Sequence, residues 1–147
     1  ACVSERTPCF GRCPAYRLSV ARTGAVRFEG TRGRGAPAST ERIERDSIAP
    51  AVAARLLDDA ERAGVYTLPL RVQDDPTLCG RVATDHPSLY VLVFRGSART
   101  RVDYYLGCNG PVGNTSGKPP ALARLEAWAA AVDSAAGVRR WTEPARK

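Results

Sequence analysis

The sequence predicts an α+β fold, a single two-layer domain in which two helices pack on one face of an antiparallel sheet of four to five strands. Three observations support this class. Segments that alternate apolar and polar residues occur in two pairs, each joined by a short turn that contains glycine. A segment with an apolar stripe on one side comes after each pair. The length of 147 residues suits one domain, and the element order is ββ(β)αββα.

The first pair of strands lies on either side of a turn with Gly24 at its tip. Its inward positions are Tyr16, Leu18 and Val20 in one strand and Val26 and Phe28 in the other. The glycine-rich stretch 30–40 then predicts a loop. Ile43 and Ile48 flank a third, shorter strand.

The first helix begins at Pro50, because proline is tolerated in the first turn, and Gly64 ends it. The apolar positions expected on one side of this helix are Val52, Leu56, Leu57 and Ala60. Residues 65–88 have no regular period and predict a long connection.

The second pair of strands begins with SLYVLVF, residues 88–94, which is apolar on both faces and therefore typical of a central strand. The inward positions expected on its partner are Val102, Tyr104 and Leu106. After a second glycine-rich loop, residues 107–118, Pro119 and Pro120 begin the last helix and Gly137 ends it. Its expected buried residues are Leu122, Leu125, Trp128 or Ala129, and Val132, with Trp141 folded back onto the core.

Five cysteines are present, and Cys2 stands apart from the other four. Those four permit three disulfide pairings, of which we expect the one that joins Cys9 to Cys13 and Cys79 to Cys108. The shorter ring requires a sharp turn between its cysteines, which Gly11 permits. Disulfides indicate an oxidising compartment outside the cytoplasm.

A metal or redox role for these cysteines fits their spacing less well. Structural zinc sites use paired cysteines with two to four residues between them, and only Cys9 and Cys13 have that spacing. Reactive pairs follow a C-x-x-C pattern, which is absent. We therefore expect no metal and no cofactor.

Residues 1–8 are predicted to form a tether in front of a domain that spans residues 9–147. Cys2 follows the small residue Ala1 and precedes a short polar stretch, which is the pattern around the cleavage point of a bacterial lipoprotein. This predicts a lipid on Cys2 and attachment to a membrane surface, with a free terminal thiol as the alternative.

The formal net charge is +7, and almost all of the basic residues are arginine. The densest group is Arg17, Arg22, Arg27, Arg32 and Arg34. A solvated outer face of the sheet explains this group, with a patch for an anionic partner as the alternative. No aromatic platform is interleaved with the arginines, so we do not expect nucleic acid as a partner.

A catalytic interpretation rests on the single histidine, His86, which follows Asp85. An exported hydrolase or a small-ligand-binding protein could use both residues in a pocket beside Tyr104 or Tyr105. However, sequence neighbours rarely point at one another, so a turn before the strand is the simpler interpretation. The acidic pairs at 58–59 and 74–75 are expected to be solvated, and no glycine loop has phosphate-binding spacing.

The stretch RTPCFGRCPAYRLSVARTGAVRFEG, residues 6–30, resembles the opening of a bacterial family known only as a domain of unknown function, with the signature C-F-G-x-C-P-x-Y. The stretches TDHPSLYVLVF and LARLEAWAAAVDSAAGVRRW are also similar to that family. The resemblance implies an exported protein, often a lipoprotein, and implies no activity.

These features together favour a non-enzymatic domain on the periplasmic side of a bacterial membrane, acting as a binding or structural accessory to a membrane-associated protein complex. Long loops on a stapled scaffold are where partners usually bind. The residues that we expect to contact such a protein partner are Arg32, Arg34, Asn109, Asn114 and Lys118.

Overall fold

The computed structural model describes residues 1–9, 13–31, 41–108, 110 and 117–143. The strands are β1 (Cys2–Arg6), β2 (Ala15–Val20), β3 (Ala25–Thr31), β4 (Arg42–Ser47), β5 (Ser88–Arg95) and β6 (Ala98–Tyr105). The α-helices are α1 (Pro50–Arg62), α2 (Pro120–Ala136) and α3 (Arg139–Thr142), and short 3-10 helices span Val65–Thr67 and Val72–Asp74. The α+β class is confirmed, with six strands in the described chain where four to five were predicted.

The six strands form one antiparallel sheet in the order β4-β3-β2-β1-β5-β6. Strand β1 joins the two predicted hairpins, since Ser4 lies opposite Leu18 of β2 and Val91 of β5. Its residues fall in the segment predicted as a tether, so the folded domain includes them. The sequence CVSER is short and half polar, which is why its period of two went unrecognised.

The helices α1 and α2 lie over one face of the sheet, which we call the inner face. Its buried residues include Leu18, Phe28, Val91 and Tyr104, one from each of four strands. The Trp128 indole of α2 donates a 2.8 Å hydrogen bond to the carbonyl of Leu56, which ties the two helices together. The predicted apolar stripe of α1 is correct except at Val52, which is exposed while Ala53 is buried.

The helix α3 covers the inner face at the β3 end of the sheet. The Trp141 ring lies 5.0 Å from the ring of Phe28, centroid to centroid, as the predicted lid requires. Arg140 extends from the same turn to an ion pair of 2.5 Å with Asp46 of β4. This ion pair attaches the polar edge strand β4 to α3.

Both predicted disulfides are present: Cys9 bonds to Cys13, and Cys79 bonds to Cys108. The second disulfide is reinforced by the backbone, because Ala83 N–H donates to the Gly107 carbonyl at 2.8 Å. A Cβ on Gly107 would lie 2.4 Å from the Ala83 oxygen, so only glycine allows this approach. The two disulfides indicate an oxidising environment outside the cytoplasm. None of the described helices is long and apolar enough to cross a membrane.

Candidate binding surface

The sheet face opposite the helices, which we call the outer face, carries an apolar centre. This centre consists of Val3 on β1 and of Tyr90, Leu92 and Phe94 on β5. None of the four belongs to the core or packs against it, and Phe94 is 39% exposed. No described helix covers them.

The pattern of β5 explains why Phe94 is exposed and why Tyr90 and Leu92 are only half-buried. A strand that is apolar on both faces normally lies between two covering layers. Here Leu89, Val91 and Val93 are buried under the helices, while the alternate residues meet no second layer in the described chain. The sequence predicted a central strand with apolar residues on both faces, and β5 has them. In the described chain, the helices cover only its inner face.

Charged side chains surround the apolar centre in register. One row across the sheet runs Arg45, Arg27, Ser19, Val3, Leu92 and Arg101, and the next runs Ile43, Glu29, Arg17, Glu5, Tyr90 and Asp103. Two of the carboxylates have close partners on their own strands. Glu29 pairs with Arg27 at 3.2 Å, and Asp103 pairs with Arg101 at 2.7 Å.

Three arginines of the outer face make no ion pair with any described residue: Arg17, Arg45 and Arg99. Arg17 lies opposite Glu5 on one side and Glu29 on the other, without an ion pair to either. Arg45 lies opposite Arg27, and Arg99 lies opposite Phe94. All three are exposed, so the outer face presents cationic groups around apolar ones.

A polar cluster lies beneath α2 on the inner face, where Asp133 meets Arg6 of β1 and Tyr16 of β2. The Tyr16 hydroxyl donates to the Asp133 carboxylate at 2.6 Å, and the Arg6 guanidinium lies 3.2 Å from the same oxygen. Burial raises the pKa of Asp133, which the contacts with Tyr16 and Arg6 only partly oppose. Burial and the Asp133 carboxylate raise the pKa of Tyr16 as well. The cluster ties β1, β2 and α2 together.

The sulfur of Cys2 is in the core. Cys2 is 2% exposed on the inner face, and burial raises the pKa of its thiol to about 11. A lipid on this sulfur would have to displace β1 from the middle of the sheet. Lipidation of Cys2 therefore stays a prediction, and it requires β1 to move from the position described here.

The structure does not join Asp85 and His86 by a side-chain hydrogen bond. Both are exposed, and Asp85 has a φ of 66°, in the left-handed region that aspartate tolerates in turns. The His86 backbone N–H donates to the Tyr105 hydroxyl at 3.3 Å, and this hydroxyl donates to the Ala83 carbonyl at 2.6 Å. Tyr104 faces the core instead. This arrangement is that of a fixed turn before β5.

The two acidic pairs are engaged at the surface. Asp58 pairs with Arg22 at 2.9 Å, and Asp59 pairs with Arg62. Asp75 accepts hydrogen bonds from Thr77, which lower the pKa of its carboxyl. The described residues contain no group of histidine, cysteine, aspartate and glutamate side chains that could hold a metal ion.

A cleft of about 560 Å³ opens at the end of the sheet between α1 and the turn after β5. The Arg95 guanidinium lies 3.7 Å from the Tyr66 ring centroid on its wall, and Leu57 and Val93 line its apolar part. Ala1, directly before β1, also lines it.

Of the residues predicted to contact a partner, Lys118 is described. Its ammonium pairs with Glu126 of α2, so it holds the approach to that helix. Arg32, Arg34, Asn109 and Asn114 lie outside the described residues. The outer face went unpredicted as an apolar site because only the position of β1 shows that Val3 extends the β5 patch.

The family model with the description Domain of unknown function (DUF6438) matches residues 3–132. This match covers β1 through most of α2 and thus both surfaces of the sheet. No relative was found among the curated proteins.

Proposed function

The chain belongs to the family described as Domain of unknown function (DUF6438), and this description assigns no activity, so we propose a function from the outer face. The protein is a non-enzymatic binding domain outside the cytoplasm that acts as an accessory subunit of a membrane-associated complex. The observation that carries this proposal is the apolar centre of the outer face, Val3, Tyr90, Leu92 and Phe94. Protein interfaces combine such a centre, rich in tyrosine and other aromatics, with a polar rim that contains arginine.

The size of the face also supports a protein partner. Six strands at about 4.8 Å spacing and five to six residues at about 3.4 Å give a plane of roughly 29 by 18 Å. This is roughly 500 Å² before side-chain relief is counted, which is smaller than the roughly 800 Å² per partner of a standard interface and typical of a transient complex. The complex would be a specific but exchangeable one.

We propose that membrane association runs through this partner. The core position of Cys2 disfavours the alternative of a lipid on its sulfur, because β1 would have to leave the sheet. The intact mass of the native protein separates the two routes. An added diacylglyceryl mass on Cys2 would contradict attachment through the partner alone.

The proposal is tested by placing the photo-cross-linker benzoylphenylalanine at Tyr90 in the native host and extracting its membranes in mild detergent. We expect a cross-linked protein and co-migration with a large complex. The matched control is the same cross-linker at Val52, an exposed apolar position on α1. A lone 15.8 kDa species with no cross-link from Tyr90 would overturn the proposal.

A second candidate is a small hydrolase or ligand-binding protein that uses Asp85 and His86. No side-chain hydrogen bond between these two described residues supports it. The His86→Ala variant tests it directly. A loss of ligand-induced stabilisation in this variant would revive that function.

A further inference from the structure

The outer face also has a distinct charge pattern. We infer that this pattern selects an acidic protein surface as the partner. This inference rests on the proposed function and specifies the chemistry of the partner. The face holds five described arginines, namely Arg17, Arg27, Arg45, Arg99 and Arg101. It holds three described carboxylates, namely Glu5, Glu29 and Asp103.

After the ion pairs within the outer face are counted, arginines remain in excess over carboxylates on this face. Glu29 and Asp103 are each engaged by an arginine two residues away on the same strand. Arg45 and Arg99 remain exposed without an ion pair in the described chain, at opposite ends of the sheet. Strands β4 and β6 are five spacings apart, so these two guanidiniums bracket the apolar centre across roughly 24 Å.

Such a frame of charges fits carboxylates at the rim of a partner whose middle is apolar. Complementary charges at a rim raise the association rate and suppress partners of the wrong sign. Arginine suits this role because its planar fork binds a carboxylate through two hydrogen bonds.

The same pattern disfavours two other occupants. A second copy of this chain would bring arginine-rich faces together at a net charge of +7 each, which is repulsive. The headgroups of an anionic membrane are mobile and all carry negative charge. They cannot complement the fixed alternation of Glu29, Arg17 and Glu5 across three strands. A folded protein can match that alternation position by position.

The test compares two double variants of equal net charge. Arg45→Glu with Arg99→Glu reverses the outer face, and Arg55→Glu with Arg124→Glu reverses exposed arginines on α1 and α2. The fraction that co-migrates with the cross-linkable complex from native membranes is measured at low and at physiological salt. We expect at least a tenfold weaker complex for the outer-face variant and less than a twofold change for the helix variant, with salt weakening the wild-type complex.

The outcomes separate this inference from the proposed function. A Tyr90 cross-link that persists equally in both variants and is indifferent to salt would overturn the acidic partner while leaving the binding function intact. No cross-link at all would overturn the binding function first. Thermal unfolding of both variants confirms that they fold.

Two further measurements address the other occupants. Vesicles of phosphatidylcholine and phosphatidylglycerol in equal parts are sedimented with the wild-type protein, and sedimentation velocity gives the oligomeric state of the isolated chain. We expect no co-sedimentation and a monomer. Vesicle binding or self-association that the outer-face variant abolishes would overturn the inference in favour of lipid or of a second copy.

Discussion

At the residue scale, the thiol of Cys2 shows how strongly a single position can depend on the element around it. The residue is 2% exposed between β2 and β5, and burial raises the pKa of its thiol to about 11. The thiolate is the reactive form, so both low access and low ionisation protect this group.

We therefore expect the folded protein to resist iodoacetamide at pH 8 for hours, whereas the unfolded chain reacts in minutes because its thiol has an ordinary pKa. Mass spectrometry of the alkylated protein, with and without urea, measures this. The control is an otherwise identical Cys2→Ala variant, which must take up no label. Rapid alkylation without urea would contradict the buried position of β1.

Asp133 is the second residue whose environment sets its chemistry. Burial raises its pKa above the ordinary value of 3.8 even though Arg6 and Tyr16 contact it. The folded state thus retains a proton that the unfolded chain releases. The stabilisation that results from this pKa difference is fully present below the pKa of Asp133 in the unfolded chain. It is lost as the pH rises through the pKa of Asp133 in the folded protein.

We accordingly expect the stability advantage of the wild type over Asp133→Asn to grow as the pH falls from 7 to 4, by about 1.4 kcal/mol for each unit of pKa shift. Urea unfolding at several pH values measures it. The variant Asp58→Asn, at an exposed carboxylate, serves as control. An advantage that shrinks on acidification would mean that the ion pair with Arg6 outweighs burial.

At the element scale, the turn between β2 and β3 depends on one glycine. Gly24 has a φ of 96°, and a Cβ there would lie 2.1 Å from the carbonyl oxygen of Ile48. That close approach brings the chain from the β3 hairpin to the start of α1, since the Ile48 N–H donates to the Gly24 carbonyl at 2.8 Å.

Replacing Gly24 by Ala should lower the free energy of unfolding by about 3 kcal/mol, the combined cost of a left-handed backbone and a backbone clash. Gly96 is the matched control, because its φ is 57° and no atom lies within 4 Å of the added Cβ. For Gly96→Ala we expect about 1 kcal/mol. Equal losses in thermal or urea unfolding would refute the role given to the Ile48 contact.

The elements differ in how far the sequence predicts them. The hairpins, α1 and α2 follow from regular periods with clear breakers, and the structure confirms them. β1 escaped prediction because five residues with two inward positions, Cys2 and Ser4, contain too little period to recognise. The outer face escaped with it, since its apolar centre forms only when β1 sets Val3 beside Leu92.

At the scale of the whole molecule, two disulfides hold regions that the sheet alone does not fix. Cys9–Cys13 closes a short ring before β2, and Cys79–Cys108 ties the long connection to the end of β6. In the loop-entropy description, the shorter ring contributes roughly 2 kcal/mol and the longer roughly 3.5 kcal/mol.

Reduction of both disulfides should therefore lower the free energy of unfolding by about 5.5 kcal/mol, a large share of the usual 5–15 kcal/mol of a domain. Urea unfolding with and without a reductant measures this. Replacing each pair by alanines in turn apportions the loss, and we expect the Cys79 and Cys108 pair to cost more. Unchanged stability after complete reduction would contradict the staple role.

The central position of β1 in the sheet has a consequence for folding during synthesis. Cys2 lies opposite Val93, so β1 gains its second neighbour only after β5, which follows far along the chain, has been synthesised. Contacts between such distant parts of a chain form slowly. The sheet therefore cannot close around β1 until β5 has emerged from the ribosome.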